Sequence, residues 1–291
     1  MRGEEKLWRI LQDKLETLRA GGRIPEAMRV GRTALELAQR IFPEDDPSLA
    51  RSYECLGQMH DQRNERAEAK ANLVLALRIV ELIKPVDDRS IYRLTSRLAL
   101  LSDVAGGEEE AITYYEKAIH AGGQLDNVNY TDLGSMLNNV ALIYRRSGRQ
   151  KAAEPYYLHA LELYERQLGP NHPDVASILN NLGVLYTKIE RFEEAEQVHQ
   201  RALSIRRQAH PKGHSDVAQS HCNLAVVYHS RGELDRAGEL YRESLRCWED
   251  LDEQPEDYEI VASNYADLLR SLGKKRKAAT IESRARKRRG F

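Results

Sequence analysis

Seven helix-breaking positions recur at an almost constant interval, and that recurrence restricts the chain to a repeat architecture. Gly22, Asn64, Gly106, Gly148, Glu190 and Gly232 are each 42 residues apart, and Gly273 follows after 41. A period of this length marks stacked supersecondary units rather than one closed core. Gly and Asn tolerate the left-handed backbone that joins two antiparallel helices. Glu190 is placed by register alone. Five residues beyond each turn stands Ala: Ala27, Ala69, Ala111, Ala153, Ala195, Ala237 and Ala278. Twelve beyond come Ala34, Ala76, Ala118, Ala160, Ala202 and Ser244, each followed by Leu or Ile. Small residues seven apart share one helix face and let a neighbouring helix come close.

The pattern continues upstream of each turn. Leu56, Leu98, Val140, Leu182 and Leu224 lie eight residues before, and next to them are Gly57, Ala99, Ala141, Gly183 and Ala225. Tyr144, Tyr186 and Tyr228 lie four before. Each unit is therefore a helix A, a turn, a helix B and a loop. Seven units fit one array over 1–291: residues 4–46, 47–88, 89–130, 131–172, 173–214, 215–256 and 257–291, the first and last least regular, as end caps are. Ser48, Ser90, Asp132, Asp174 and Asp216 recur in the loops as helix-start residues, with Pro47 and Pro173 just before. The expected class is all-α.

Composition agrees with extensive exposed helix surface: 41% of residues are apolar and 31% charged. The net charge of −1 hides an asymmetry, because nine Lys and Arg face one Glu between Lys274 and Phe291. Three scattered cysteines do not make a disulfide framework, and no long apolar run spans a bilayer. The expected setting is reducing and cytoplasmic.

The Leu–Gly/Ala–x–x–Tyr run, the turn Gly and the paired Ala resemble the tetratricopeptide repeat. The 42-residue spacing, Gly169-Pro170-Asn171-His172-Pro173-Asp174-Val175, Asn180-Asn181-Leu182-Gly183 and Phe192-Glu193-Glu194-Ala195-Glu196 are similar to the kinesin light chain subclass. The resemblance is strongest over residues 130–250; the second and third repeats lack the His-Pro-Asp-Val loop and the paired Asn. It implies a right-handed α-solenoid, a non-enzymatic adaptor role, and a concave groove lined by A helices. Arrays without the family's heptad region are carried by bacteria, including those that make tubulin-like filaments. The resemblance therefore also implies an accessory factor of such a filament.

Nine residues before the turns stand Asn139, Asn181 and Asn223, with Asn264 in the last repeat and Asn138 and Asn180 beside the first two. Side-chain amides offer two donors and an acceptor. Similarity to the family implies that they grip the backbone of an extended peptide; the alternative is that each bonds its own hairpin or a neighbour. Arg93, Arg97, Arg145, Arg146 and Lys188 fall near the same stripe, opposed by Glu54, Asp61 and Asp103, and His229 is expected to face the groove. Excess guanidinium groups favour an acidic segment, unless these charges are simply solvated helix faces. A third candidate surface is the basic tail: Lys274, Lys275, Arg276, Lys277, Arg286, Lys287, Arg288 and Arg289. It suits an acidic filament, an anionic membrane or nucleic acid, or else serves as a solvated cap. Without an aromatic platform, nucleic acid is the least expected partner.

No catalytic residues, cofactor or metal site are expected. His210 and His214 share a loop but lack a neighbouring carboxylate or thiol at ligand spacing. Cys55 and Cys222 sit beside core positions, where a buried structural thiol is expected. Oligomeric state is left open by an array with free ends.

Overall fold

The computed structural model describes residues 2–210, 214–251 and 256–289, and among these it contains helices and no strands. The helices pair in sequence. The first unit, Met1–Asn129, holds α1 (Arg2–Ala20) with α2 (Ile24–Ile41), α3 (Pro47–Gln62) with α4 (Arg66–Leu82), and α5 (Asp88–Val104) with α6 (Glu108–Gly123). The second, Tyr130–Phe291, holds α7 (Tyr130–Arg146) with α8 (Gln150–Leu168), and α9 (Pro173–Lys188) with α10 (Phe192–Ala209). It ends with α11 (Ser215–Ser230) paired with α12 (Leu234–Glu249), and α13 (Glu256–Ser271) with α14 (Lys275–Arg289). These are the seven hairpins that the period predicts.

All seven turn positions have positive φ, between 60° and 84°. Each closes helix A with the same pair of bonds. In the fourth hairpin, Arg149 N–H donates to the Tyr144 carbonyl at 2.8 Å and Gly148 N–H to that of Arg145 at 3.3 Å. This six-to-one and five-to-two pairing satisfies carbonyls that the helix end would otherwise leave orphaned. Glu190 (φ 63°) holds this geometry with a side chain that disfavours it. Glu190→Gly is accordingly expected to stabilise the protein by about 1 kcal/mol. A rise in the urea midpoint with unchanged slope would show it; a fall would mean that the Glu190 side chain contributes more than its backbone costs.

Alanines five and twelve residues past the turns are fully buried, and Ser244 takes the last place in the second set, donating to the Ala218 carbonyl at 2.7 Å. These small residues form the seam along which hairpins stack. The helix starts differ from expectation. Asp46 and Asp87 accept the Ser48 and Ser90 N–H groups at 2.7 and 3.1 Å, so the caps precede the expected serines. Pro47 and Pro173 are the first residues of their helices rather than stops before them, where the missing N–H costs nothing. In the later repeats imidazole caps the helix. His172 Nδ1 accepts from Asp174 N–H at 3.2 Å, and His214 Nδ1 from Asp216 N–H at 3.1 Å. The aspartates then occupy the first turn, where the helix dipole favours them.

Candidate functional site

The A helices of the second unit supply the candidate site. α11 packs beside both α9 and α13, and asparagines link them laterally. Asn181 Nδ2 donates to Asn138 Oδ1 at 2.9 Å, Asn223 Nδ2 donates to Asn180 Oδ1, and Asn264 Nδ2 lies 4.0 Å from Cys222 Sγ. Each amide thus reaches the residue before its counterpart in the preceding repeat. One of its two N–H groups is spent on a neighbouring helix, as the second of the two roles open to these residues requires. Asn180 is buried, while Asn138, Asn139, Asn181, Asn223 and Asn264 are half-buried.

Over this linked surface opens a cavity of 780 Å³. Arg145 and Arg146 from α7, Lys188 from α9 and Asn223 from α11 line it, together with Val184, Phe192, Val226 and His199. Three cations face one carboxylate, Glu190. Arg145 Nε, Tyr157 Oη and His199 Nδ1 are buried without hydrogen-bond partners, so polar capacity remains in and beneath the site. Apolar walls with a few convergent polar groups are the usual form of a recognition pocket.

Not every predicted residue joins it. His229 packs edge-on against the Tyr241 ring, with centroids 6.3 Å apart. Arg93 forks onto Glu54 at 2.6 and 2.8 Å, and Arg97 onto Asp61 at 2.8 and 3.1 Å, so both are engaged within the first unit. A 490 Å³ cavity there is lined by Arg19, Arg51 and Arg93 against Glu16, Glu54 and Asp87, which balance. Excess positive charge is therefore a property of the second unit's cavity and not of this one.

The basic tail is the last B helix. Ala278 and Ala285 are buried, Arg284 pairs with Glu249 at 3.0 Å, and Arg288 lies 5.1 Å over the Tyr258 ring. Lys274, Lys275, Arg276, Lys277, Arg286 and Lys287 are exposed; the side chain of Arg289 lies outside the described residues. Asp216 does approach the two loop histidines, contrary to the spacing argument. Potential ligand atoms of His210, His214 and Asp216 lie within 4.8 Å of one another, and the two imidazoles stack at 4.0 Å. Helix capping already accounts for His214 Nδ1. Cys55 and Cys222 are buried, and burial pushes the Cys222 thiol up to about 11, which suits an inert thiol.

Sequence periodicity does not single out two buried histidines. His199 takes the register of Tyr115, Tyr157 and Tyr241, and His221 that of Leu137 and Leu179. Burial, with Arg206 nearby, pulls His199 down to about 4; burial, with Arg207 nearby, does the same to His221. Both are neutral when folded, and an unfolded imidazole takes up its proton near 6.5. The unfolded chain therefore binds more protons between those values, and stability falls as pH drops from about 6.5 to about 4. Each histidine is expected to contribute roughly 3 kcal/mol to that loss. Urea unfolding across this range should show a shallower pH dependence in His221→Leu; an unchanged slope would contradict the assignment.

The tetratricopeptide repeat family matches residues 132–208 and 216–289. Among solved structures, BtubC (BKLC) from P. vanneervenii is 26% identical over 77% of this chain and 90% of its own, with a TM-score of 0.57. Nearly identical TPR-like repeats assigned to a kinesin light chain of Podosopora anserina align at 16% identity, over 68% and 95% of the two chains, with a TM-score of 0.58. YrrB, described as a TPR protein with an unusual peptide-binding site, aligns at 20% identity over 74% and 92%, with a TM-score of 0.53. The last two likenesses are of fold alone. No curated protein matches the chain. Among the described residues no helix is long and apolar enough to cross a membrane.

Proposed function

We infer, from a chain that belongs to the tetratricopeptide repeat family, that its task is to hold a protein partner, and that it binds an acidic extended segment on the A-helix face of α7, α9 and α11. The observation that carries this reading is the convergence of Arg145, Arg146 and Lys188 on one cavity walled by Val184, Phe192 and Val226. Guanidinium groups fork onto carboxylates, and the apolar wall rewards a side chain between them. The asparagine links hold the A helices in place before the partner arrives, which lowers the ordering cost of binding.

The direct test is fluorescence anisotropy with labelled peptides of matched length, one rich in Asp and Glu and one with those residues changed to Asn and Gln. The acidic peptide is expected to bind in the micromolar range, about tenfold or more tighter than its neutral twin, and to weaken as salt is raised. Equal affinities would sink the reading.

A second reading makes the protein an accessory factor of a tubulin-like filament. It is supported by the kinesin light chain-like repeat signature and by the likeness to BtubC (BKLC). Cosedimentation with a tubulin-like polymer tests it. The exposed residues of α14 are the surface to vary for filament or membrane contact, through Lys275→Gln, Arg276→Gln and Lys277→Gln. Deleting the helix would instead uncover the faces of α13 that Ala278 and Ala285 cover.

A further inference from the structure

α11 lies between α10 and α12, and on the side away from Asn223 the three helices enclose a second cavity, of 790 Å³. Arg207 of α10, His221 of α11 and Arg236, Arg242 and Arg246 of α12 line it, with Glu239 and Glu243 among them. Arg236 pairs with Glu233 at 2.8 Å, which leaves three arginines facing two carboxylates and one positive charge uncompensated. The same gap one repeat earlier is not basic. Forty-two residues before Arg207, Arg236, Arg242 and Arg246 stand Glu165, Glu194, Gln200 and Ser204. The arginines therefore belong to this place in the array and are not a by-product of the repeat.

The second observation concerns His221, which is only 3% exposed. Arg207 Nη2 lies 3.0 Å from its Nε2. A guanidinium can only donate, so Nε2 accepts and the ring proton resides on Nδ1. That Nδ1 is buried with no hydrogen-bond partner. Leucine occupies this position at Leu137 and Leu179, so the fold does not require a polar group there. A buried N–H donor left unsatisfied is costly, and the Arg207 guanidinium beside the ring also only donates. Donors in excess of the acceptors that Glu239 and Glu243 supply suit an anion with several acceptor oxygens.

We propose that the cleft between α10 and α12, floored by α11, binds a phosphate oxyanion, anchored by Arg207, Arg246 and the His221 imidazole. Its ligand chemistry is that of pyrophosphate or of a phosphomonoester. The proposal is independent of the acidic-segment reading, because it uses the opposite side of α11 and none of the same residues.

Isothermal titration of the full chain with inorganic pyrophosphate tests it, with phosphoserine and succinate as parallel arms. Saturable binding of pyrophosphate or phosphoserine is expected, with succinate at least about tenfold weaker because it lacks the clustered oxygens. The phosphoserine arm distinguishes a phosphorylated side chain from a free ion, whichever of the two binds more tightly. Arg207→Gln and Arg246→Gln should each weaken binding about tenfold. His221→Leu introduces the residue of the two preceding repeats and should fold while weakening binding about fivefold. Arg166→Gln on α8 should leave binding unchanged. Absence of saturable binding, equal affinity for succinate, or retained affinity in folded His221→Leu and Arg246→Gln would overturn the proposal.

Discussion

Reversing Arg145, Arg146 and Lys188 together to Glu is expected to abolish capture of an acidic segment while leaving the helical fold in place. Beside Glu190, the wild-type cavity carries two net positive charges; the variant carries four negative ones. A unit charge pair at about 4 Å near a protein surface is worth a few kcal/mol before desolvation and side-chain ordering are subtracted. Three attractive contacts turned repulsive should cost about a hundredfold or more in affinity. Lys188 and Arg146 are exposed while Arg145 is half-buried, so the double variant Arg146→Glu, Lys188→Glu, which leaves Arg145 in place, is the parallel arm that spares the core. Anisotropy titration reads the loss, and far-ultraviolet circular dichroism confirms the fold. A folded variant whose affinity stays within about threefold of wild type would rule out this cavity as the docking site. Glu190→Gly provides a cross-check from the opposite direction, since it removes the one opposing carboxylate and should tighten binding while raising stability.

Gly183→Ala should be among the more damaging single-methyl changes in the core. A Cβ at Gly183 would lie 2.5 to 2.7 Å from three ring atoms of His199, a separation that real Cβ atoms do not tolerate. His199 is 1% exposed and cannot swing away. Overpacking of this kind costs about 1–3 kcal/mol or more, and the helix preference of Ala over Gly returns only about 1. A net loss of about 2 kcal/mol is expected in urea unfolding. In three other repeats this register pairs Ala with Tyr (Ala99 with Tyr115, Ala141 with Tyr157, Ala225 with Tyr241), and in the second repeat it pairs Gly57 with Leu73. Gly183 and His199 are thus one alternative solution to the same contact. The double variant Gly183→Ala, His199→Tyr should recover more than half of the loss. A purely additive result in the double-mutant cycle would show that the two residues are not coupled.

What the chain discloses in advance depends on whether a structural demand selects a residue type. Positive φ selects Gly or Asn, so six of the seven turns stand out directly, and Glu190 follows because the period has no room for another position. Close helix approach selects Ala, so the seams are visible too. Capping by His172 and His214 is less visible, since imidazole is not among the usual cap residues. The asparagines illustrate a different limit. Their recurrence at the repeat period marks them as important, but each bonds the residue preceding its counterpart, an offset of 43 that only the packing of adjacent helices creates. Pairing of Arg93 and Arg97 with acids 39 and 36 residues away is likewise a product of stacking. His199 and His221 were concealed because they stand where the pattern calls for an aromatic or aliphatic residue.

The amide links also have a polarity. In each one the donor belongs to the later hairpin and the acceptor to the earlier, from Asn181 to Asn138, from Asn223 to Asn180, and from Asn264 to the Cys222 sulfur. Oxygen accepts in the first two, but a thiol at 4.0 Å is a feeble acceptor. The tether therefore slackens toward the carboxyl end, and α13 with α14 is expected to open before the hairpins that precede it in the second unit. Amide protons there should exchange with solvent before those of α9 and α11, so that the array frays from one end like a zip with a loose last tooth.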